Sequence, residues 1–304
     1  MEKFTQFRTG VSPFMPVKSQ TSPLGTLFHP VIFLIRLPIF LAYSAVYFLL
    51  IDFLPLPSFL RKAFLWTLLF IPGVFWADVH FEGVRRGALS AHPHRVPRAG
   101  DIIAANFSSP LDALYTAAVF NPVFTQAYPG ERRVLVLSLF AAALRALAPA
   151  APTPPAGAQL VDIAQLQRAY PDRVVLVFPE CSTTNGAAIL PLSPCVVSAR
   201  EGSRIFPVSL RYVPSDVTTP VPGAWGRFLF ALLSHSSIRI HVRIAEAVVN
   251  TVAGEKSNEG PIAYDEEEVI SKVCDGLSRL GRSAKVGLTL KDKQAFCKAW
   301  AARK

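Results

Sequence analysis

Charge is scarce in this chain: only 17% of its 304 residues are Asp, Glu, Lys or Arg, against about 25% in ordinary soluble domains. A disordered chain is thereby excluded, since such chains are highly charged and poor in apolar residues. Acidic residues are the scarcer sign, 21 against 31 Lys and Arg, leaving a formal net charge of +10. Only four cysteines occur, Cys181, Cys195, Cys274 and Cys297. No pair of them has metal-ligand spacing, and free thiols are expected. Walker A, Rossmann glycine-cluster, HExxH and GxSxG strings are all absent, which removes the functions those strings carry. No basic stretch interleaves with aromatics on a recognisable scaffold, so a nucleic-acid partner is not expected.

What the chain has in abundance is apolar: 51% of residues, 22 of them Phe. Apolar excess with positive charge suits an enzyme attached to an anionic membrane surface or handling a phosphate-bearing substrate. The length fits one domain of roughly 200 to 250 residues plus an attachment element. Residues 1–30 are polar and proline-dotted, and a cleaved secretory signal is not expected. Apolarity runs from Val31 to Ile51, interrupted by Arg36 and Pro38, and again from Ala63 to Ala77 around Pro72. The unequal lengths and internal prolines predict a membrane-associated helical hairpin over 31–77, re-entrant or interfacial, with buried core helices as the alternative. Basic residues flank it on both sides, Arg8 and Lys18 before, Arg85, Arg86, Arg95 and Arg98 after. They favour both ends on the cytoplasmic side.

Residues 78–264 read as an α/β domain, a mainly parallel sheet flanked by helices. Strand-like runs at Asp101–Asn106, Arg173–Glu180, Ile205–Tyr212 and Ser237–Val248 alternate with helical patterns. In the last of these strands Arg239, His241 and Arg243 share one face. Residues 265–304 read as C-terminal amphipathic basic helices, with Arg279, Arg282, Lys285, Lys291, Lys293 and Trp300 against anionic headgroups. Functional loops in such a sheet lie at strand C-terminal ends. There the sequence places Phe107-Ser108-Ser109-Pro110-Leu111-Asp112 and Pro179-Glu180-Cys181-Ser182-Thr183-Thr184-Asn185-Gly186.

The ordered set NFSSPLD, VFPECSTTNG and IFPVSLRY resembles the motif series of the glycerolipid acyltransferase superfamily, NHxxxxD, FPEGTxxxG and a proline-containing strand end. It is most similar to the fungal lysophosphatidic acid acyltransferase branch of the endoplasmic reticulum and lipid droplets. The resemblance extends to EKFTQFRTGVSPFMP at the start and LSRLGRSAKVGLTLKDKQAFCKAW at the end. It implies transfer of an acyl group from acyl-CoA, a co-substrate with no further cofactor, to the free hydroxyl of a lysophospholipid. The simplest case is lysophosphatidic acid giving phosphatidic acid, at the reticulum and lipid-droplet surface with the catalytic domain facing the cytoplasm.

In that family a motif histidine, oriented by the motif aspartate, is the general base. Here its place is taken by Phe107, which cannot accept a proton, while Asn106 and Asp112 are kept. None of the six histidines, His29, His80, His92, His94, His235 and His241, falls inside either principal motif. The resemblance makes Asp112 and Glu180 the catalytic candidates; Asp112 at a helix start also suits a cap. Asn106, Ser108, Ser109, Ser182, Thr183, Thr184, Asn185 and Gly186 are candidates for binding substrate. Cys181 stands where the family has Gly and invites a thioester route, which needs a nearby base. Arg132, Arg133, Arg145 and Arg211 are the candidates for phosphate, Arg211 foremost. Three readings follow: an active acyltransferase with a non-standard base, a catalytically impaired relative that binds lipid or acyl-CoA, and a structural membrane protein with this fold.

Overall fold

The structure, a computed structural model, describes residues 10–17, 23–85, 87–252 and 264–302. Arg8, Lys18 and Arg86, invoked above as flanking cations, lie outside the described residues. In chain order the elements are α1 (Pro23–Leu49), α2 (Ser58–Phe70), β1 (Trp76–Phe81), β2 (Ile102–Ala105), α3 (Pro110–Phe120), β3 (Val123–Gln126), β4 (Val134–Leu137), α4 (Leu139–Arg145), β5 (Leu160–Val161), α5 (Ile163–Ala169), β6 (Val175–Val177), β7 (Ala188–Ile189), β8 (Arg204–Val213), α6 (Trp225–Ser234), β9 (Arg239–Ile244), β10 (Val248–Val249), α7 (Tyr264–Gly281), β11 (Ala284–Lys285) and α8 (Leu290–Ala301).

The main sheet runs β1-β9-β8-β2-β6-β3-β4-β5, with β10 beside β8. Its centre, β8-β2-β6-β3, is parallel, while β9 joins β8 and β4 joins β3 in the antiparallel sense. β2 and β6 are short apolar runs because both of their faces are covered. Ile103 and Leu176 enter a core shared with α2, α3 and α6, whereas Ile102, Val175 and Val177 enter the opposite core beneath α5 and α7. A smaller cluster joins Phe14, Leu190, Val286 and Phe296, fastening the N-terminal strap and α8 to the domain.

The N-terminal apolar segment is not a hairpin. α2 directs Leu65, Leu68 and Leu69, spaced to share one helical face, into the core. Burial at about 1.5–3 kcal/mol per side chain makes α2 part of the domain. α1 instead lies along α6, with Phe33 against Phe230, and the Arg36 guanidinium donates to the carbonyl of His235 at 2.6 Å. Among the described residues α1 gives the one helix long and apolar enough to cross a membrane, and its surface is largely exposed. The second apolar run also ends differently from the expectation: Trp76 and Ala77 open strand β1, paired in parallel with β9.

In the C-terminal segment one cation expected to face headgroups is instead buried and others are ion-paired. Lys293 of α8 is 1% exposed, Lys285 pairs with Asp275, and Arg279 pairs with Glu82 at 2.7 Å.

Candidate active site

Two loops leave the C-terminal ends of adjacent parallel strands, 106–109 after β2 and 178–187 after β6, and the structure ties them together. The Thr184 amide donates to the Phe107 carbonyl at 2.9 Å, and the Phe107 and Phe178 rings stack with centroids 4.4 Å apart. Thr219, from the loop after β8, bridges both. Its amide donates to the Ser108 carbonyl at 2.8 Å, and its carbonyl accepts from Thr183 Oγ1 at 2.7 Å. The two motifs named from sequence therefore form one unit.

Within that unit most candidate side chains are committed to backbone. Asn106 prolongs the β2–β8 ladder, accepting from the Leu210 amide at 2.6 Å and donating to its carbonyl at 3.0 Å. Ser109 caps α3, whose first turn places Asp112 in a reciprocal capping box. Asp112 Oδ2 accepts from the Ser108 and Ser109 amides at 2.6 and 2.8 Å, and Oδ1 accepts from the Tyr212 hydroxyl. Burial raises its pKa to about 6, against the lowering effect of these donors. Glu180 is fully buried and accepts from the Phe107 amide at 3.4 Å and the Leu190 amide at 3.2 Å. Desolvation pushes its pKa to about 8, opposed by these amides and by Lys293. Both carboxylates hold loops in place.

Ser182 and Thr183 receive the buried ammonium of Lys293, at 2.7 Å to Ser182 Oγ and 3.1 Å to Thr183 Oγ1. Burial pulls this lysine down to about 7. Thr184 Oγ1 accepts from the Gly186 amide at 3.3 Å. Asn185 holds the N-terminal strap, donating from Nδ2 to the carbonyls of Ser12 and Met15. Cys181 adopts a φ of +60°, a left-handed conformation that glycine takes most easily, which accounts for the glycine of the family pattern. Its thiol donates to the Pro179 carbonyl, and burial raises its pKa well above the ordinary thiol value. A protonated thiol with no base upon it does not serve as a nucleophile.

Beside this unit opens a cavity of about 350 Å³, lined among others by Ser108, Asn185, Gly186, Arg211, His241 and Arg243. Strand alternation explains its character: Ser209, Arg211 and Val213 of β8 share the face of His241 and Arg243 of β9, while Leu210, Tyr212 and Val242 face the core. Burial and the nearby charges of Arg243 and Arg282 lower the pKa of Arg211. Neither Arg211, Arg243 nor Arg282 has a carboxylate partner among the described residues. Arg211 donates to the Gly186 carbonyl at 3.4 Å, and Arg243 to that of Leu280 at 3.0 Å. Such a cluster is an anion site in waiting.

The other arginine candidates are placed elsewhere. Arg132 is ion-paired to the buried Glu266 at 2.9 Å, and Arg133 is exposed. Arg145 lines a narrow crevice behind Phe107 and Phe178, with Nε on Gln126 Oε1. Arg243, Arg282 and Lys293 were not legible as site residues. The alternation of β9 placed Arg243 on a face, but nothing in the sequence says which strand lies next to it.

A curated protein of Schizosaccharomyces pombe named "Putative lysophosphatidic acid:oleoyl-CoA acyltransferase" is 30% identical to this chain over 322 aligned positions, covering 98% of each. No family model matches the chain. No solved structure matches it either.

Proposed function

The chain belongs to the acyltransferase family of that Schizosaccharomyces pombe protein, and from this we propose that it moves an acyl group from acyl-CoA to the hydroxyl of a lysophospholipid. Lysophosphatidic acid is the preferred acceptor and phosphatidic acid the product. The observation that carries the choice of acceptor is the cavity beside the motif loops, lined by Arg211 and Arg243 with no carboxylate paired to either among the described residues, and with Arg282 near enough for its charge to act on Arg211. A phosphate monoester relieves their mutual repulsion and accepts charge-assisted bonds from several of them. Ser108 and the 185–186 backbone line the same space, so an acceptor held by its phosphate lies next to both motifs.

Asp112, Glu180 and the hydroxyls of Ser182 and Thr183 set the shape of this site from behind. The apolar, largely exposed α1 supports membrane association, and the reading places the protein on the endoplasmic reticulum and lipid droplets with the domain facing the cytoplasm. Acyl-CoA is the only further molecule the reaction requires. The test is direct: detergent-solubilised protein supplied with oleoyl-CoA and lysophosphatidic acid forms phosphatidic acid and free CoA in equal amounts.

One observation favours a second reading, a lipid-binding relative without turnover: Phe107 stands in the motif histidine's place and stacks on Phe178. Absence of product with lysophosphatidic acid and with several other lysolipids, while binding persists, selects it.

A further inference from the structure

The motif carboxylates Asp112 and Glu180 are fully buried, committed to amides and a phenol, and absent from the cavity lining, so a base for acyl transfer comes from another element. Five of the six histidines are badly placed for it. His29 packs edge-on to His235, and His92 to His94. His235 Nε2 is held between both oxygens of Asp216 at 2.8 and 3.0 Å. His80 turns Nδ1 to the Phe81 carbonyl on an exposed edge. His241 alone lines the cavity that also contains Ser108, Arg211 and Arg243.

Three strands converge to place it. In the pairing register His241 of β9 stands opposite Arg211 of β8 and Asp78 of β1. The burial alternation along β9 turns Ile240 and Val242 inward, so the imidazole occupies the cavity face. Asp78 Oδ2 lies 3.4 Å from His241 Nδ1. At that ion-pair distance the carboxylate favours a proton on Nδ1, which leaves the Nε2 lone pair to accept another. This is the base-and-orienter pair that the motif lacks, assembled from β9 and β1 instead of one loop.

Resting on the acyl-transfer reading above, the geometry points to His241 as the general base and Asp78 as its positioning residue. Nε2 takes the proton of the acceptor hydroxyl as its oxygen attacks the thioester carbonyl carbon. The tetrahedral adduct then collapses: the carbon–sulfur bond breaks, the new ester remains, and the imidazolium returns its proton to the departing CoA thiolate. One hydroxyl and one thioester become one ester and one thiol, with no other reactant. The neighbouring charges are Asp78 from β1, Arg211 from β8, Arg243 from β9 and Arg282 after α7. Arg211 and Arg243, which line the cavity, hold the acceptor's phosphate while the histidine works on its hydroxyl.

The experiment measures phosphatidic acid formation by wild type, His241→Ala, Asp78→Asn and, as a neighbouring control, Arg239→Gln, with folding checked by thermal midpoint. His241→Ala lowers kcat about 100-fold or more with little change in the KM for lysophosphatidic acid, as loss of a general base does. Asp78→Asn causes a smaller fall, and Arg239→Gln stays within twofold. Added imidazole restores His241→Ala in proportion to its concentration, a response that a merely structural histidine does not give. Undiminished turnover by His241→Ala, or a loss that imidazole leaves untouched, overturns the assignment while acyl transfer itself stands. A wild-type protein that forms no product with any lysolipid overturns the acyl-transfer reading, and this assignment with it.

Discussion

The phenol of Tyr212 donates to Asp112 Oδ1 on the core side of β8, 100 residues away in sequence. Because Oδ2 already takes the Ser108 and Ser109 amides, this bond completes the acceptor set of a carboxylate with no solvent exposure. Removing the hydroxyl with Tyr212→Phe strands one oxygen. The expected loss is about 2 kcal/mol near pH 8, since bonds to ionised groups run about 1.5–3 kcal/mol. With the Asp112 pKa raised to about 6, the loss shrinks at pH 5, where the carboxyl is protonated. Thermal midpoints of wild type and variant at the two pH values check it.

Phe107→His restores the family's motif on paper. Its acid partner, however, is saturated by Tyr212 and two amides, and the residue-107 ring packs on Phe178 within the core. An imidazole there is buried against apolar carbon, at a cost of about 1–3 kcal/mol. The expected outcome is a lower thermal midpoint with no gain in the rate of phosphatidic acid formation. A rate increase of tenfold would instead show that Asp112 is available to orient a base.

The strands β2, β6, β8 and β9 and the motif loops were legible because their signals are local, apolar or alternating runs that end in turn residues. Even the shared face of Arg239, His241 and Arg243 follows from period-two alternation in β9. The partners of that face did not, because β1 pairs with β9 across more than 150 residues and its first residues, Trp76 and Ala77, continue an apolar run that resembles a membrane segment. Lys293 misled for a related reason. Its neighbours Lys291 and Lys298 give the helix a basic, surface-like pattern, and only tertiary packing brings its ammonium onto Ser182 and Thr183. The hairpin expectation failed because α2 has the composition of a membrane helix but the one-sided burial of a core helix.

Glu180 makes the protein's stability fall as pH rises. Burial raises its pKa to about 8, from 4.5, so between these values the folded state binds a proton that the unfolded state has released. More protons bound in the folded state means stability lost with increasing pH. Glu180→Gln removes that slope and loses one amide acceptor at every pH. The variant should therefore be less stable than wild type at pH 5, with the gap narrowing or reversing by pH 9. Parallel thermal denaturation curves across the range, with a constant gap, would contradict the raised pKa.

Arg211 offers a test of the proposed phosphate pocket that is independent of the base. Arg211→Gln keeps a polar side chain, though a shorter one, and removes one of the two arginine charges that line the cavity. The KM for lysophosphatidic acid should rise about 10-fold or more, in keeping with a charge-assisted bond of about 1.5–3 kcal/mol. A monoacylglycerol acceptor, which lacks the phosphate, should lose much less. The ratio of kcat/KM for the two acceptors is the quantity to follow. An unchanged ratio would move the phosphate site away from this cavity.

Lys293 couples the C-terminal helix to the second motif loop. The side chain is 1% exposed, and among the described residues its ammonium meets no carboxylate, only Ser182 Oγ, Thr183 Oγ1 and the Thr183 carbonyl. Desolvation lowers its pKa to about 7, from 10.5. Between these values the unfolded state holds the extra proton, so this lysine makes stability rise with pH, the opposite sign to Glu180. Lys293→Met retains most of the buried volume and removes both the charge and the donors. At pH 6 the gain from no longer burying a charge opposes the loss of the bonds to Ser182 and Thr183. At pH 9 the wild-type lysine is neutral and only the lost bonds count. The variant should thus compare worse with wild type at pH 9 than at pH 6. Amide exchange along residues 182–184 should quicken, because the loop loses its contact with α8. If exchange there is unchanged, the helix covers the loop without holding it, and the buried ammonium contributes only its desolvation cost.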